Sequence, residues 1–315
     1  MAAGSRARGR ARGGVGRHLA LPLVMVLVFG GIAGGSYLAL ERYGSPAHEG
    51  TCVASGLGTS HRYTTDRVAN AALISATAVD RGMPPRAASI ALATAYQESQ
   101  LQNIDYGDRD SLGLFQQRPS QGWGTEEQIM DPVYASNAFF DVLETYPDYT
   151  SADINDIAQQ VQRSGHPEAY RDHETEGRLY ASALTGQSGA NLLCTLDEVG
   201  ATTSPEQLRG ELARQFPRAT KSGRVTSSLD SAAGAAPQVP EGAGATALVL
   251  DPGGDETLGW SLANWAVARA ADDGVVQVSY RGRVWDRTAH GEEAGAWGSA
   301  EGGDPDRVVV LVSGR

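Results

Sequence analysis

Apolar residues recur with a helical period in two neighbouring stretches of the chain. The first begins near Thr65, a favourable capping residue, and stops at Gly82, which suits a helix end. The second covers residues 86–98, directly after a proline pair that suits a first helical turn. It consists mostly of alanine, isoleucine and leucine, so its surface is small enough for burial between other helices. The pattern predicts a buried helix that ends on a carboxylate, Glu98.

Three later segments also have helical spacing, at 131–143, 151–163 and about 166–184. Residues 103–124 are rich in aspartate and glycine and are too polar for a buried element, so they are predicted to form a β-like hairpin or an ordered loop. Residues 61–195 are therefore predicted to form a mainly α domain with one irregular loop.

The pattern changes in the last third of the chain. Within residues 196–244, a capping box at Ser204 and Gln207 opens a short helix, and the serine-, glycine- and alanine-rich residues 217–244 are predicted to be a flexible linker. Residues 245–315 are predicted to form a small α/β module with its tryptophans in the core. Its strands are expected at 247–250, 275–280 and 308–312, and its helix at 258–271.

The N-terminal stretch is basic and then apolar. Residues 1–18 contain five arginines and no acidic residue, and residues 19–40 are almost entirely apolar or small. About 20 such residues can span a bilayer, and a basic flank stays in the cytoplasm. We therefore expect a cytoplasmic tail, a single transmembrane anchor in the cell membrane and a stalk at 41–60, with the bulk of the chain extracytoplasmic. A cleaved signal peptide is the alternative, and it exports the rest as well. The predicted fold class is α+β, consisting of this helix, the mainly α domain and the small α/β domain.

Charge and cysteine content narrow the function classes. The formal net charge is −11 although the N-terminal tail is basic, so the remainder is strongly acidic and nucleic acid is not an expected partner. Cys52 and Cys194 are the only cysteines. Outside the cytoplasm two cysteines usually pair, so a disulfide between the ends of the first domain is expected; two unpaired thiols are the alternative. No histidine stands at ligand spacing beside either cysteine, and no metal or other cofactor is expected.

Glu98 is the candidate for acid catalysis. It lies four residues after Thr94 and eight after Ile90, on a helix face that is otherwise uncharged. Burial and the negative pole of the helix both favour the neutral, protonated carboxyl group, which a general acid requires. A solvated glutamate at a helix end is the competing interpretation.

The pair Glu98-Ser99 followed by Gly113-Leu114-Phe115-Gln116 resembles the soluble lytic transglycosylase and goose-type lysozyme superfamily. The longer string DSLGLFQQRPSQGWGT is similar to a version in exported actinobacterial proteins. IAQQVQRSGHPEAY, at 157–170, resembles the helix that closes the cleft in relatives. GWSLANWAVARA and VVQVSYRGRVW resemble a module appended to actinobacterial peptidoglycan hydrolases.

The resemblance implies a lysozyme-like domain that cleaves peptidoglycan glycan strands between N-acetylmuramic acid and N-acetylglucosamine. Glu98 would protonate the glycosidic oxygen and then act as a base, on the sugar's own 6-hydroxyl or on water. No cofactor is implied. The residues expected to line the substrate cleft are Ser99, Tyr96, Gly113, Leu114, Phe115, Gln116, Gln117, Gln162 and Tyr170. Of these, Ser99, Gln116 and Gln117 would orient the acetamido groups.

One family feature is not matched. The Ala-Tyr-Asn motif of typical transglycosylases, whose tyrosine supports the acid, is not identified in the sequence, and Gln160 or Gln162 stands in roughly that region.

Other functions remain open at this point. The domain could bind glycan or a partner hydrolase with little catalysis, or the chain could be a transporter subunit, which a single spanning segment disfavours. Hydrolysis could also rely on Asp105, Asp108 or Asp110 to activate water. Protein partners stay unassigned.

Overall fold

The computed structural model describes residues 50–56, 58–163, 168, 170–197 and 202–314, which form one compact α+β unit. The predicted tail at 1–18 and anchor at 19–40 lie outside these residues. None of the helices in the described ranges is long and apolar enough to cross a membrane. The longest has 16 residues, fewer than the roughly 20 that a bilayer core requires. The predicted fold class is therefore corrected to α+β without its transmembrane helix, as far as the described chain extends.

Three antiparallel strands flank the helices of the first half. They are β1 (Gly50–Gly56), β2 (Thr59–Thr64) and β3 (Leu192–Leu196), in the order β2-β1-β3. This sheet replaces part of the predicted stalk, which was wrong over residues 50–60. Cys52 and Cys194 face each other across β1 and β3 and form a disulfide, as expected. The bridge joins the start of the helical part of the chain to its end.

Within the helical region, residues 65–184, the described part of the chain forms six α-helices. They are α1 (Thr65–Asp80), α2 (Pro85–Ser99), α3 (Glu126–Met130), α4 (Pro132–Leu143), α5 (Ile154–Gln162) and α6 (Glu174–Leu184). Helix α2 is central: it packs against α1, α4, α5 and α6, and most of its alanines are fully buried. The close approach to α6 requires Gly177, because a Cβ atom there would lie 2.9 Å from the carbonyl oxygen of Ser89. Small residues thus allow α2 to be surrounded.

The C-terminal region, residues 205–313, is built on a six-stranded antiparallel sheet. Its strands are β4 (Thr226–Ser231), β5 (Ala243–Asp251), β6 (Val275–Tyr280), β7 (Arg283–Asp286), β8 (Trp297–Ser299) and β9 (Val308–Ser313), in the order β4-β5-β9-β6-β7-β8. Its helices are α7 (Pro205–Gln215), α8 (Pro217–Lys221), α9 (Ala232–Ala235), α10 (Glu256–Ala268) and α11 (Ala270–Asp273).

The flexible linker predicted at 217–244 is wrong, because that segment contains α8, β4 and α9. Strand β4 has a weak local signal, TSSLDS, and forms by pairing with β5, which lies later in the chain. Composition alone does not report such a partner.

The two regions share a core and several buried hydrogen bonds. The indole N–H of Trp285 donates to the carbonyl of Cys194 at 3.0 Å, and that of Trp297 donates to the carbonyl of Leu192 at 3.0 Å. Asn264 on α10 donates to carbonyl groups at the end of α6 and beyond it, at 2.9 and 2.8 Å. Both tryptophans are almost fully buried, in agreement with the prediction that they are core residues.

Candidate functional site

The site begins where α2 ends. The helix stops at Ser99 because Gln100 and Leu101 adopt left-handed backbone conformations, with φ of 55° and 62°. Glu98 occupies the last turn and is half-buried. The hydroxyl of Ser99 donates to the carbonyl of Leu114 at 2.8 Å and lies 3.1 Å from the carbonyl of Ala95. Ser99 therefore fastens the helix end to the loop, and its side chain is buried rather than open to a substrate.

The apolar residues of the Gly-Leu-Phe-Gln turn fix it to the hydrophobic core. Leu112 and Gln117 pair through both backbone N–H groups at 3.0 Å, which closes the turn. Leu114 and Phe115 are fully buried, so they anchor the turn in the core and expose neither side chain nor backbone. Gly113 has φ of 74°, and a Cβ atom there would lie 2.8 Å from the carbonyl oxygen of Ile129. The glycine is required by conformation and by space.

The two glutamines after this turn point in different directions. Gln116 is half-buried, and its amide nitrogen lies 3.3 Å from the carbonyl oxygens of Tyr106 and of Gly113. Gln117 is buried, and its amide nitrogen donates to the carbonyl of Ala135 on α4 at 3.1 Å. The expected substrate role of Gln117 is therefore corrected, because its side chain is directed into the core. Gln116 remains at the surface of the turn.

Tyr170 supplies the contact that the sequence analysis did not find. Its hydroxyl donates to Oε1 of Glu98 at 2.7 Å, and its ring is almost fully buried. Its backbone N–H donates to the side-chain oxygen of Asn155 on α5 at 3.2 Å. Tyr170 thus supports the carboxylate, the role for which the sequence suggested Gln160 or Gln162. The available signal was the pair Ala169-Tyr170, two-thirds of the family's Ala-Tyr-Asn motif, followed here by arginine.

Gln162 contacts the turn from the other side. Its amide nitrogen donates to the carbonyl of Phe115 at 2.7 Å. The last residue of α5 is therefore fixed to the Gly-Leu-Phe-Gln turn, and its contact with a substrate stays a prediction.

Tyr96 does not lie beside Glu98. It precedes Glu98 by two residues, about 200° around the helix, and so faces another side of α2. Its ring stacks on Tyr63 with centroids 5.2 Å apart and lies 4.6 Å from the ring of His173. The expected substrate contact of Tyr96 is corrected on this geometry.

The loop aspartates are placed differently from Glu98. Asp105 and Asp108 are exposed, whereas Asp110 accepts hydrogen bonds from Arg118 at 2.7 Å and from the backbone N–H of Ser120 at 2.8 Å. The Ser120 hydroxyl and backbone N–H and the Arg118 guanidinium hold the pKa of Asp110 well below its usual range. A carboxylate stabilised in this way is a weak base and serves to fix the loop. Among the described residues no three histidine, cysteine or acidic side chains are grouped as metal ligands.

No protein-family model matches the chain, and no curated protein matches it. The chemistry therefore has to be argued from the site itself. A half-buried carboxylate at a helix end, a buried tyrosine donating to it, and a rigid turn presenting Gln116 can together perform proton transfer with one acid–base group.

Proposed function

We propose that the protein cleaves peptidoglycan glycan strands between N-acetylmuramic acid and N-acetylglucosamine, with Glu98 as the only acid–base group. The observation that carries the proposal is the 2.7 Å hydrogen bond from the Tyr170 hydroxyl to the Glu98 carboxylate. The resemblance to lytic transglycosylases and goose-type lysozymes supports it, because it concerns the same residues: Glu98-Ser99 and the turn that Ser99 holds.

The reaction needs two proton transfers, one from Glu98 and one back to it. Glu98 in its protonated form donates to the glycosidic oxygen, and the bond between that oxygen and the sugar's anomeric carbon breaks. The electron pair of that bond stays on the oxygen that receives the proton. Glu98, now a carboxylate, then accepts a proton from the 6-hydroxyl of the same sugar, whose oxygen bonds to the anomeric carbon and gives a 1,6-anhydro product. If water takes the place of the 6-hydroxyl, the glycosidic bond is hydrolysed and the product has a free reducing end.

Tyr170 has a positioning role in this scheme. Its hydroxyl donates to Oε1, so it orients the carboxyl group and stabilises the negative charge that appears there after proton transfer. Because the tyrosine is buried and its backbone is held by Asn155, little reorganisation is needed during the reaction. Gln116, at the surface of the turn, is the side chain placed to bind an acetamido group.

The Cys52–Cys194 disulfide supports an extracytoplasmic location, since such bonds persist in oxidising compartments and peptidoglycan lies there. Location outside the cytoplasm is part of the proposal.

The test uses the purified, oxidised protein on peptidoglycan sacculi, with soluble muropeptides identified by mass spectrometry. The wild type is expected to release them and Glu98→Gln to release none above background. Tyr170→Phe is expected to reduce the rate by about tenfold to a hundredfold, which corresponds to the roughly 1.5–3 kcal/mol of a hydrogen bond to a charged group. Glu126→Gln, an exposed glutamate at the start of α3, is the matched control and keeps full activity.

Two results contradict the assignment, and a third distinguishes the two chemical routes. Equal release by wild type and Glu98→Gln rejects Glu98 as the acid. Binding to sacculi without any release favours a glycan-binding domain instead. Products that are one water heavier than the anhydro sugar keep Glu98 but replace the 6-hydroxyl route by hydrolysis.

A further inference from the structure

A second carboxylate, that of Glu176 on α6, lies near a different side of α2 from Glu98. It takes no part in the proposed reaction. Its side chain is only 12% exposed and is placed between two imidazoles. Nδ1 of His173 lies 2.7 Å from one carboxylate oxygen, and Nδ1 of His61 lies 3.4 Å from the other. Burying a carboxylate is unfavourable unless it is paired, so the two histidines account for its presence.

The two histidines connect Glu176 to different parts of the protein. His61 lies on β2, in the sheet that carries the disulfide, and its ring meets Tyr63 edge-on at 4.6 Å. Burial, together with the nearby charge of Glu176, raises the pKa of Tyr63, so this phenol stays neutral. His173 lies instead in the short 3₁₀ turn (Arg171–His173) that directly follows Tyr170.

The His173 imidazole fastens this turn to the helix that carries Glu98. Its Nε2 lies 2.9 Å from Oε1 of Gln97, the residue immediately before Glu98, and its ring packs 4.6 Å from that of Tyr96. Its backbone N–H donates to the carbonyl of Tyr170 at 3.2 Å. The contacts that join the turn to the end of α2 therefore include the Tyr170–Glu98 bond, the His173–Gln97 bond and the packing of His173 on Tyr96.

The tautomer of His173 follows from its partners. An ionised Glu176 can only accept, so Nδ1 carries a proton. Nε2 can then pair with either the amide nitrogen or the amide oxygen of Gln97, because that amide can turn through 180° to present either atom. The contact between His173 and Gln97 therefore does not depend on one amide orientation, as suits an anchor.

We propose that His173, oriented by Glu176, is a positioning residue that sets the Tyr170 hydroxyl on the Glu98 carboxylate. The assignment rests on the proposed function. It differs from a general structural role because the effect of His173 is expected to pass through the Tyr170 hydroxyl, whereas His61 contacts the other oxygen of the same carboxylate.

The first test is kinetic and uses soluble glycan fragments with the full-length protein. His173→Ala and Glu176→Gln are each expected to lower kcat about tenfold, because a misplaced catalytic contact is costly, and to leave KM within about twofold. Glu176→Gln keeps the shape of the side chain, so it separates loss of orientation from loss of packing. His61→Ala is the matched control and should keep kcat within about twofold.

The decisive measurement is a double-mutant cycle with Tyr170→Phe. If His173 acts through the tyrosine hydroxyl, adding His173→Ala to Tyr170→Phe lowers kcat no further. Multiplicative losses in the double variant overturn the proposal, as does a loss in His61→Ala equal to that in His173→Ala.

A measurement independent of activity separates this proposal from the proposed function. By amide hydrogen exchange, His173→Ala should increase exchange in the peptide covering 170–176 and leave the peptide covering 85–95 unchanged, whereas His61→Ala should change neither. If the wild-type protein is inactive, the proposed glycosidase function is rejected. The exchange pattern would still test whether His173 anchors the turn. Unchanged exchange over 170–176 in His173→Ala rejects the anchor even if the wild-type protein is active.

Discussion

The helical region and the C-terminal region use their polar side chains in opposite ways. In the helical region the end of α2 leaves Gln97 exposed and Glu98 half-buried, next to groups from three other segments of the chain. In the C-terminal region the polar groups of Trp285 and Trp297 point inward and end on backbone carbonyls of β3. The proposed site lies in the helical region, whereas these two indole N–H groups of the C-terminal region are occupied by backbone carbonyls and contribute to packing.

The C-terminal region covers the exposed edge of the three-stranded sheet. Strand β3 is at the edge of its sheet, and an edge strand exposes unpaired carbonyl groups. The two indole N–H groups satisfy those of Leu192 and Cys194, and the backbone N–H of Cys194 donates to the carbonyl of Gly295 at 3.0 Å. The C-terminal region thus covers the edge that holds the disulfide. In return, Asp80 at the end of α1 accepts the N–H groups that open α8, at 3.1 and 2.8 Å.

Truncation after residue 197, which removes the C-terminal region, is expected to have the largest effect on folding. We expect the remaining chain to lose cooperative unfolding altogether, because one hydrophobic core contains residues of both regions and would be opened along its length. Circular dichroism during heating is the measurement. A truncated protein with a sharp transition and intact glycan release would show that the C-terminal region is dispensable.

Removing the disulfide should be the next largest effect. The cysteines are 142 residues apart, and a loop of that length corresponds to about 5 kcal/mol in the chain-entropy model. The variant Cys52→Ala/Cys194→Ala should lose up to this free energy of unfolding in urea titrations. Reductant should destabilise the wild type and leave the double variant unchanged; equal sensitivity of both proteins would contradict a role for the bridge.

A glycine at the junction tests the contact between the regions. A Cβ atom on Gly186 would lie 1.9 Å from the carbonyl oxygen of Thr257, in a backbone with φ of 79°. Gly186→Ala should cost about 2–4 kcal/mol through strain and displacement of α10. Gly82→Ala is the control, with φ of 72° but open space around it, and should cost about 1 kcal/mol. Urea titrations that give equal losses would mean that the junction is loose.

Removing one indole donor tests the supporting role of the C-terminal region without opening the core. Trp297→Phe keeps an aromatic ring but leaves the carbonyl of Leu192 without this donor, so a loss of about 1–3 kcal/mol is expected in thermal or urea unfolding. Glycan release at 25 °C should be unchanged, because the site lies in the other region. A lower kcat at unchanged stability would instead connect the two regions functionally.

The smallest effect concerns pH and the loop of the helical region. The folded-state pKa of Asp110 is lowered by Ser120 and Arg118, so its contribution to stability is present above the ordinary aspartate pKa of about 3.9 and is lost as the pH falls below it. Asp110→Asn should slightly destabilise the protein at neutral pH and reduce the acid sensitivity of its melting temperature below about pH 4. An unchanged acid profile would contradict this pairing.

The sequence predicted the helices and the three apolar strands at 247–250, 275–280 and 308–312 well, and it missed the strands that lack a local apolar signal. Helix α2 has proline at its start and a continuous small apolar surface, and the structure places it at residues 85–99, close to the predicted 86–98. Strand β4 has no comparable local signal and depends on β5, about 20 residues later. The three-stranded sheet likewise joins residues near 50 to residues near 194.

Residues of the candidate site could be named from the sequence, but the directions in which their side chains point could not. Glu98 and the Gly-Leu-Phe-Gln turn were singled out correctly as neighbours, because Ser99 joins them. Gln117 and Tyr96 were placed in the cleft because they adjoin its residues, although adjacent side chains point apart on strands and helices. The contact from Tyr170 joins residues 72 positions apart, and nothing local encodes that distance.

The disulfide also determines what a protease can achieve. Because Cys52 and Cys194 bracket the whole helical region, a single cut anywhere between them leaves two fragments on one covalent framework. Such a nicked molecule migrates as an intact chain on a gel without reductant and separates only when the bridge is reduced. In the presence of a protease, the two halves of the helical region would therefore stay together after the first cleavage.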